Sequence, residues 1–272
     1  IANLNNTKAE NVISFSAKTT PILAILRTNL LKNKKAQILY TDEITSFFDA
    51  KIIREIYGYN FEMKKIDNAN SVSEFDGTTV FISSTKNIFS FDIHTNIDFY
   101  INLDTTLGSI LCINGKENEN YISDIQHVRR RETIAMTPSN SLVALQSLVK
   151  NDAFKTPKID VSNNKKIVLE SIKEITGTNI NPLIASSGLS IQYAIMMGLI
   201  HDAQENYPEK AIKFIVPPNC YGGTNDQARR VAACLKNVEI VDLPVDGNND
   251  MVQSIETVLT KIATEDAVPF II

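Results

Sequence analysis

The sequence has no tryptophan and few histidines, three in 272 residues. His94, His127 and His201 are widely separated in the chain and have no second ligand residue at helical spacing. Protein zinc sites bring three or four His, Cys, Asp or Glu side chains together. The pattern therefore predicts no metal site, whereas the absence of tryptophan excludes no class of protein.

Cysteine is equally scarce. Cys112, Cys220 and Cys234 are odd in number and lack the short spacing of metal-binding motifs. Such cysteines are typical of reduced thiols rather than of a disulfide framework. No basic segment followed by an apolar one opens the chain, as a secretory signal would require. We therefore expect a cytoplasmic protein, in which Cys220 is a small packing residue rather than a reactive thiol.

Long apolar runs and an excess of positive charge are absent too. The longest apolar stretch, around Pro21 to Leu31, is interrupted by Arg27 and Asn29, and a membrane-spanning helix needs about 20 apolar residues. The formal net charge is −4 and the pI is about 5.5, whereas nucleic-acid-binding domains have a basic face. We expect neither a membrane nor a nucleic acid as partner.

The sequence does contain apolar strand-like segments that alternate with amphipathic helical segments. This order predicts an α/β fold of right-handed βαβ units, with a mostly parallel sheet between two layers of helices. The pattern predicts a helix over Ile44–Tyr57. It also predicts a strand over Pro182–Ala185, which enters the helix that begins at Gly188.

The polar, Pro157-containing segment 151–164 is interpreted as a linker between residues 1–150 and residues 165–272. Segments before and after it follow the same order of strands and helices, which indicates either a degenerate duplication or βαβ patterning common to such folds. The chain begins with Ile1, and its last residues, 267–272, have the composition of a buried strand. We expect a piece of a longer polypeptide.

Two short motifs carry the chemistry. Ala185-Ser186-Ser187-Gly188-Leu189-Ser190 consists of small residues that open a helix, where backbone N–H groups can hold a phosphate. Pro217-Pro218-Asn219-Cys220-Tyr221-Gly222-Gly223-Thr224 follows the next strand and places an aromatic ring on a Gly-flanked turn. A phosphate cradle beside a stacking ring suits a flat phosphorylated cofactor.

The pair resembles the pyridoxal 5′-phosphate (PLP) enzymes of the Cys/Met metabolism family, the cystathionine synthases and lyases of fold type I. Over residues 165–272, Ser186-Ser187-Gly188-Leu189 is similar to the family's Ser-Ser-Gly-Met, and Tyr221-Gly222-Gly223-Thr224 matches its Tyr-Gly-Gly-Thr. The resemblance implies that Ser187, Gly188 and Leu189 hold the PLP phosphate and that Tyr221 stacks on the pyridine ring.

Residues 1–150 resemble a shortened, degenerate copy of a PLP-transferase-like fold without a complete cofactor site. Asp104 follows a strand as the family's pyridine-binding Asp does, but a residue that caps the next turn is the interpretation that we favour. Ser83-Ser84-Thr85-Lys86 is similar to the family's Ser-x-Thr-Lys, which makes Lys86 a candidate Schiff-base lysine. Lys86 precedes Asp104, however, whereas the family's lysine follows its Asp. A solvated loop lysine is therefore favoured, and the catalytic lysine is otherwise not found in this chain.

The resemblance implies β- or γ-elimination or replacement on a small amino-acid substrate such as cystathionine, in a homo-oligomer with active sites at subunit borders. This chain would form only part of the catalytic unit. The alternative is a non-catalytic pseudoenzyme or oligomerisation scaffold with the same fold. A nucleotide-binding domain is a third interpretation, but the chain lacks the G-x-G-x-x-G motif. Helical Arg129-Arg130-Arg131 and Arg229-Arg230 are interpreted as solvated charge runs.

Overall fold

A computed structural model describes residues 1–84, 87–150 and 160–272. The strands are β1 Val12–Phe15, β2 Ala36–Tyr40, β3 Phe61–Lys65, β4 Thr78–Ser84, β5 Phe99–Asp104, β6 Gly108–Ile113, β7 Ile212–Val216, β8 Val238–Asp242 and β9 Val268–Ile271. The helices are α1 Thr20–Leu31, α2 Ala50–Glu55, α3 Ile122–Glu132, α4 Pro138–Lys150, α5 Val161–Thr176, α6 Gly188–Asn206, α7 Gly222–Ala232 and α8 Met251–Thr264.

The first half, residues 1–150, is organised around a mixed sheet. Among the described residues this sheet has the strand order β1-β6-β5-β4-β2-β3. The pairs β2–β3, β2–β4 and β4–β5 are parallel, whereas β6 pairs antiparallel with β5 and β1. A tight turn after Asp104 joins β5 to β6, and only antiparallel neighbours can be joined so closely.

Both faces of this sheet are apolar because successive side chains of a strand point to opposite sides. Ile38, Val80 and Ile101 belong to the core that lies against α1 and α3. Their neighbours in the strands, such as Phe81 and Tyr100, pack on the other face with a segment that includes Ile88 and with α4. The sheet is therefore the middle layer of three.

The second half, residues 165–272, contains a separate parallel sheet with the order β8-β7-β9. Phe214 and Val216 of β7 pack with α6 and α7, while Ile215 packs on the other face with Ile262 of α8. Layers on both faces of mostly parallel sheets confirm the α/β fold that the alternating pattern predicts.

Three of the four parallel strands of the first sheet have the same arrangement as the three strands of the second sheet. β2 lies between β3 and β4 as β7 lies between β8 and β9, and in each half the central strand comes first in the sequence. The helix before the central strand is α1 in one half and α6 in the other. This correspondence is what a duplication predicts, although the domain boundaries remain a prediction.

Two predicted elements are corrected. In place of a helix over Ile44–Tyr57, α2 is helical only from Ala50, because Asp49 accepts hydrogen bonds from the N–H groups of Lys51 and Ile52 and caps the helix there. Pro182–Ala185 is not a strand: it pairs with no described strand, and Leu183 is 74% exposed. The segment before α6 is therefore an irregular loop.

The predicted linker lies mainly outside the described residues, at 151–159. α5 begins four residues earlier than the sequence suggests because Asp160 accepts a hydrogen bond from the N–H of Asn163 at 2.9 Å. Within the described ranges, none of the helices combines the length and the apolar composition needed to cross a bilayer.

A buried ion pair lies where the first half meets α6 of the second half. Arg27 lies on α1, which is buried on nearly all sides, and its guanidinium donates to the carboxylate of Glu132 at the end of α3. The same guanidinium lies 3.1 Å from the hydroxyl of Tyr193 on α6 and 3.4 Å from that of Tyr59. Burial raises the pKa of Glu132, and the charge of Arg27 opposes that shift.

Removing one partner of this pair is expected to destabilise the fold strongly. Glu132→Gln leaves the Arg27 charge buried without its counter-ion, which costs about 3–5 kcal/mol. Urea unfolding would measure the change. The double variant Arg27→Met/Glu132→Leu removes both charges and should recover most of the loss. Equal destabilisation of the single and double variants would contradict this account.

Candidate functional site

The first predicted motif forms the N-terminus of α6. Ser187 is the N-cap in an extended conformation, and its hydroxyl accepts a hydrogen bond from the N–H of Ser190 at 3.1 Å. The N–H groups of Gly188 and Leu189 stand in the first turn, where an α-helix provides no internal acceptor. A Cβ built on Gly188 would meet no atom within 4 Å, so the approach to these groups is open.

The second motif, at the start of α7, lies beside the first turn of α6. Gly223 is buried, and a Cβ built on it would lie 2.6 Å from the Tyr221 ring and 3.0 Å from the Leu189 side chain. The N-termini of α6 and α7 therefore converge, and any side chain at position 223 would displace the Tyr221, Arg131 or Leu189 side chain. Tyr221 is 70% exposed and lies at the rim of the crevice.

Hydrogen bonds between the two helices fix this geometry. The Thr224 hydroxyl donates to the side chain of Gln192 at 2.8 Å. Gln227, which is 1% exposed, donates from Nε2 to the carbonyl of Leu189 at 3.0 Å. The same Nε2 donates to the carbonyl of Arg131 at 2.8 Å, so the end of α3 is attached to the same junction.

Arg131 is the residue that the sequence interpretation missed. It was expected on a solvated face, yet its Nη1 lies 2.9 Å from the position of a Gly223 Cβ, beside Leu189 and Tyr221. Asp226 of α7 faces its Nε at 3.3 Å and also contacts Nε2 of His127 at 2.6 Å. The sequence does contain one signal for the position of Arg131. His127 and Arg131 are four residues apart and therefore lie on the same face of a helix.

The other predicted residues lie elsewhere. Lys86 falls outside the described residues. Asp104 accepts hydrogen bonds from the N–H groups of Thr106 and Leu107 at 2.7 and 2.8 Å, which confirms the turn cap. Arg229 pairs with Asp242 on an exposed face, in agreement with a solvated charge. Across the described ranges, no three His, Cys, Asp or Glu side chains lie close enough to hold a metal ion.

The first half uses the corresponding positions for its own structure. Ahead of α1, Ser16 donates its N–H to the carbonyl of Ile134 at 3.0 Å. After β2, the carboxylate of Glu43 accepts hydrogen bonds from the N–H groups of Ile44 and Thr45 at 3.1 Å each. The segments of the first half that correspond to the two motifs therefore make hydrogen bonds within that half.

Comparison with known proteins gives little further information. No family model matches the chain, and no curated protein matches it. Among solved structures, a candidate L-allo-threonine aldolase from Listeria monocytogenes EGD-E is similar with a TM-score of 0.37 and 9% identity. The match covers 64% of this chain and 60% of that chain.

The capping role of Ser187 leads to a stability prediction. Ser187→Ala should lower the free energy of unfolding by about 1 kcal/mol, because the N–H of Ser190 loses its acceptor. Ser186→Ala is the matched control, since within the described part of the chain the exposed Ser186 hydroxyl hydrogen-bonds only to the Ser190 hydroxyl, at 3.0 Å. Urea unfolding of both variants provides the comparison. Equal losses would contradict the cap.

Proposed function

We propose that the crevice between α6 and α7 binds PLP and that the chain forms part of a PLP-dependent enzyme of amino-acid metabolism. The observation that carries the proposal is the convergence of the two motifs at Gly223. Segments that are more than thirty residues apart in sequence place the Ser187 cap and the Tyr221 ring at one crevice. Neither motif alone would be specific.

The residues present fit the cofactor. A phosphate would be held by the N–H groups of Gly188 and Leu189 at the positive end of the α6 dipole. The exposed face of Tyr221 would orient the pyridine ring. PLP acts as an electron sink for bonds to the α-carbon of an amino acid. The role of these residues is to bind and orient the group, since no acid that would pair with the pyridine nitrogen and no Schiff-base lysine is identified at the crevice among the described residues.

Sulfur amino-acid chemistry is the more specific form of the proposal. It is supported by the sequence of both motifs, Ser-Ser-Gly followed by Tyr-Gly-Gly-Thr, which resembles the cystathionine synthases and lyases. In that form the reaction is a β- or γ-elimination or replacement on a small amino acid in the cytoplasm. The catalytic lysine would come from Lys86 or from a part of the enzyme beyond this chain.

A scaffold without catalytic activity is the second candidate. The observation in its favour is that Asp104 and Glu43 in the first half satisfy backbone N–H groups of their own turns. These carboxylates are committed to local structure. A scaffold would keep the fold for assembly and would not need a cofactor.

Titration with PLP separates the two candidates. We expect saturable PLP binding, followed by absorption spectroscopy and calorimetry, and at least tenfold weaker binding of pyridoxal, which lacks the phosphate. Tyr221→Ala should weaken PLP binding about tenfold because it removes the stacking ring, whereas Tyr221→Phe keeps the ring and should stay within about twofold. No PLP binding, or equal binding of NAD, would contradict the proposal.

Borohydride treatment then tests for a lysine. A mass increase of one reduced pyridoxyl group would show a reactive lysine within the chain, and loss of the increase in Lys86→Ala would identify it. An unchanged mass with intact PLP binding would place the lysine elsewhere.

We also propose a homo-oligomer. α5 and the loop after it expose Ile175 (83%), Ile180 (77%) and Leu183 (74%). Large exposed apolar side chains that lie close together are typical of protein interfaces. These residues lie just before the α6 N-terminus in sequence, which is consistent with a subunit border near the crevice.

Light scattering after gel filtration tests the assembly. Ile175→Asp should shift the protein toward the monomer because it places a charge in the apolar surface. Lys166→Asp is the control, since Lys166 lies on the opposite side of α5 and forms only an exposed ion pair with Glu170. A monomeric wild-type chain would contradict the proposal.

A further inference from the structure

Arg131 brings a positive charge from the first half into the crevice of the second half. It is on the last turn of α3, and its Nη1 is close to Gly223 between the Leu189 and Tyr221 side chains. Its side chain is 31% exposed, so one part is packed and another faces the opening. The guanidinium is therefore positioned beside the first turn of α6.

Much of its hydrogen-bonding capacity is unused. Arginine carries five N–H donors in a fixed planar arrangement. Within the described ranges, Nε is buried and makes no hydrogen bond, although Asp226 lies 3.3 Å away. No side-chain hydrogen bond is made by Nη1 or Nη2 to a described residue. A guanidinium held in this way suits an oxyanion, which it can bind through two parallel hydrogen bonds.

Neighbouring residues hold Arg131 in place from two sides. The Asp226 carboxylate faces Nε and is itself held by His127 at 2.6 Å. The backbone carbonyl of Arg131 accepts a hydrogen bond from Gln227, which also donates to Leu189. Asp226 and Gln227 are consecutive residues of α7, so one turn of this helix positions both the charge of Arg131 and the α6 terminus.

We propose that Arg131 binds an oxyanion in the α6–α7 crevice and that Asp226 is its positioning residue. The inference rests on the proposed function for the location of the ligand. Two groups have this chemistry: the phosphate of PLP and the carboxylate of an amino-acid substrate. In either case the first half contributes a binding residue to the second.

The test compares Arg131→Gln with Arg130→Gln. The two substitutions remove the same charge from adjacent residues, but Arg130 is exposed and forms no ion pair with a described residue. The probes are PLP, inorganic phosphate, and methionine added to PLP-loaded protein, each titrated by calorimetry. Urea unfolding of both variants verifies the fold, and Arg131→Lys, which retains the charge, serves as a second variant.

We expect Arg131→Gln to weaken binding at least tenfold, because a charge-assisted hydrogen bond is lost, and Arg130→Gln to stay within about twofold. Weaker binding of PLP and inorganic phosphate would identify the phosphate as the ligand of Arg131, and weaker binding of methionine alone would identify the carboxylate.

Equal binding by both variants for every probe would overturn the inference while leaving PLP binding intact. Arg131-dependent binding of inorganic phosphate without PLP binding would overturn the proposed function instead. A wild-type chain that binds no probe would overturn both.

Asp226→Asn tests the positioning role, because the two possible roles of Asp226 predict opposite changes in oxyanion affinity. If Asp226 acted only through its charge, its neutralisation would strengthen oxyanion binding. If it positions Arg131, Asp226→Asn should weaken inorganic phosphate binding several-fold. Stronger binding in this variant would contradict the positioning role.

Discussion

The buried pair of Arg27 and Glu132 is the contact on which the rest of the arrangement depends. It fixes the last turn of α3 against α1, and Tyr193 extends the same cluster to α6. Glu132 and Arg131 are consecutive in a helix, where neighbouring side chains point in different directions. When Glu132 is held inward by Arg27, Arg131 is directed toward the crevice. A buried pair of this kind adds little net stability but fixes one geometry.

Comparison of the two halves shows what each contributes to the crevice. β3-β2-β4 and β8-β7-β9 have the same order and direction, but the two leading helices begin differently. α6 begins with the Ser187 cap and Gly188, whereas α1 has no side-chain cap and carries Pro21, which has no N–H group, in its first turn. After β2, the Glu43 carboxylate accepts hydrogen bonds from the N–H groups of Ile44 and Thr45. The first half is therefore a packing partner for α6 that contributes a charge from its surface, which is compatible with either an enzyme or a scaffold.

The sequence predicts the elements better than their boundaries. The alternation of apolar and amphipathic segments predicts the α/β fold, and the capping role of Asp104 follows from its place at the end of a strand. The shortening of α2 depends on the carboxylate of Asp49, which competes for N–H groups that the apolar period assigns to a longer helix. Pro182–Ala185 has strand-like composition but no neighbour to pair with. Arg131 could not be placed, because its role depends on the contact between α3 and α7, which are distant in sequence.

In the proposed site, the first turn of α6 holds the phosphate of PLP. Backbone amide NMR during a PLP titration observes this contact, because the resonances of Gly188 and Leu189 report on those N–H groups. We predict saturable shifts of both, absent with pyridoxal and reproduced in part by inorganic phosphate. Saturable PLP binding that leaves Gly188 and Leu189 unshifted would contradict the account.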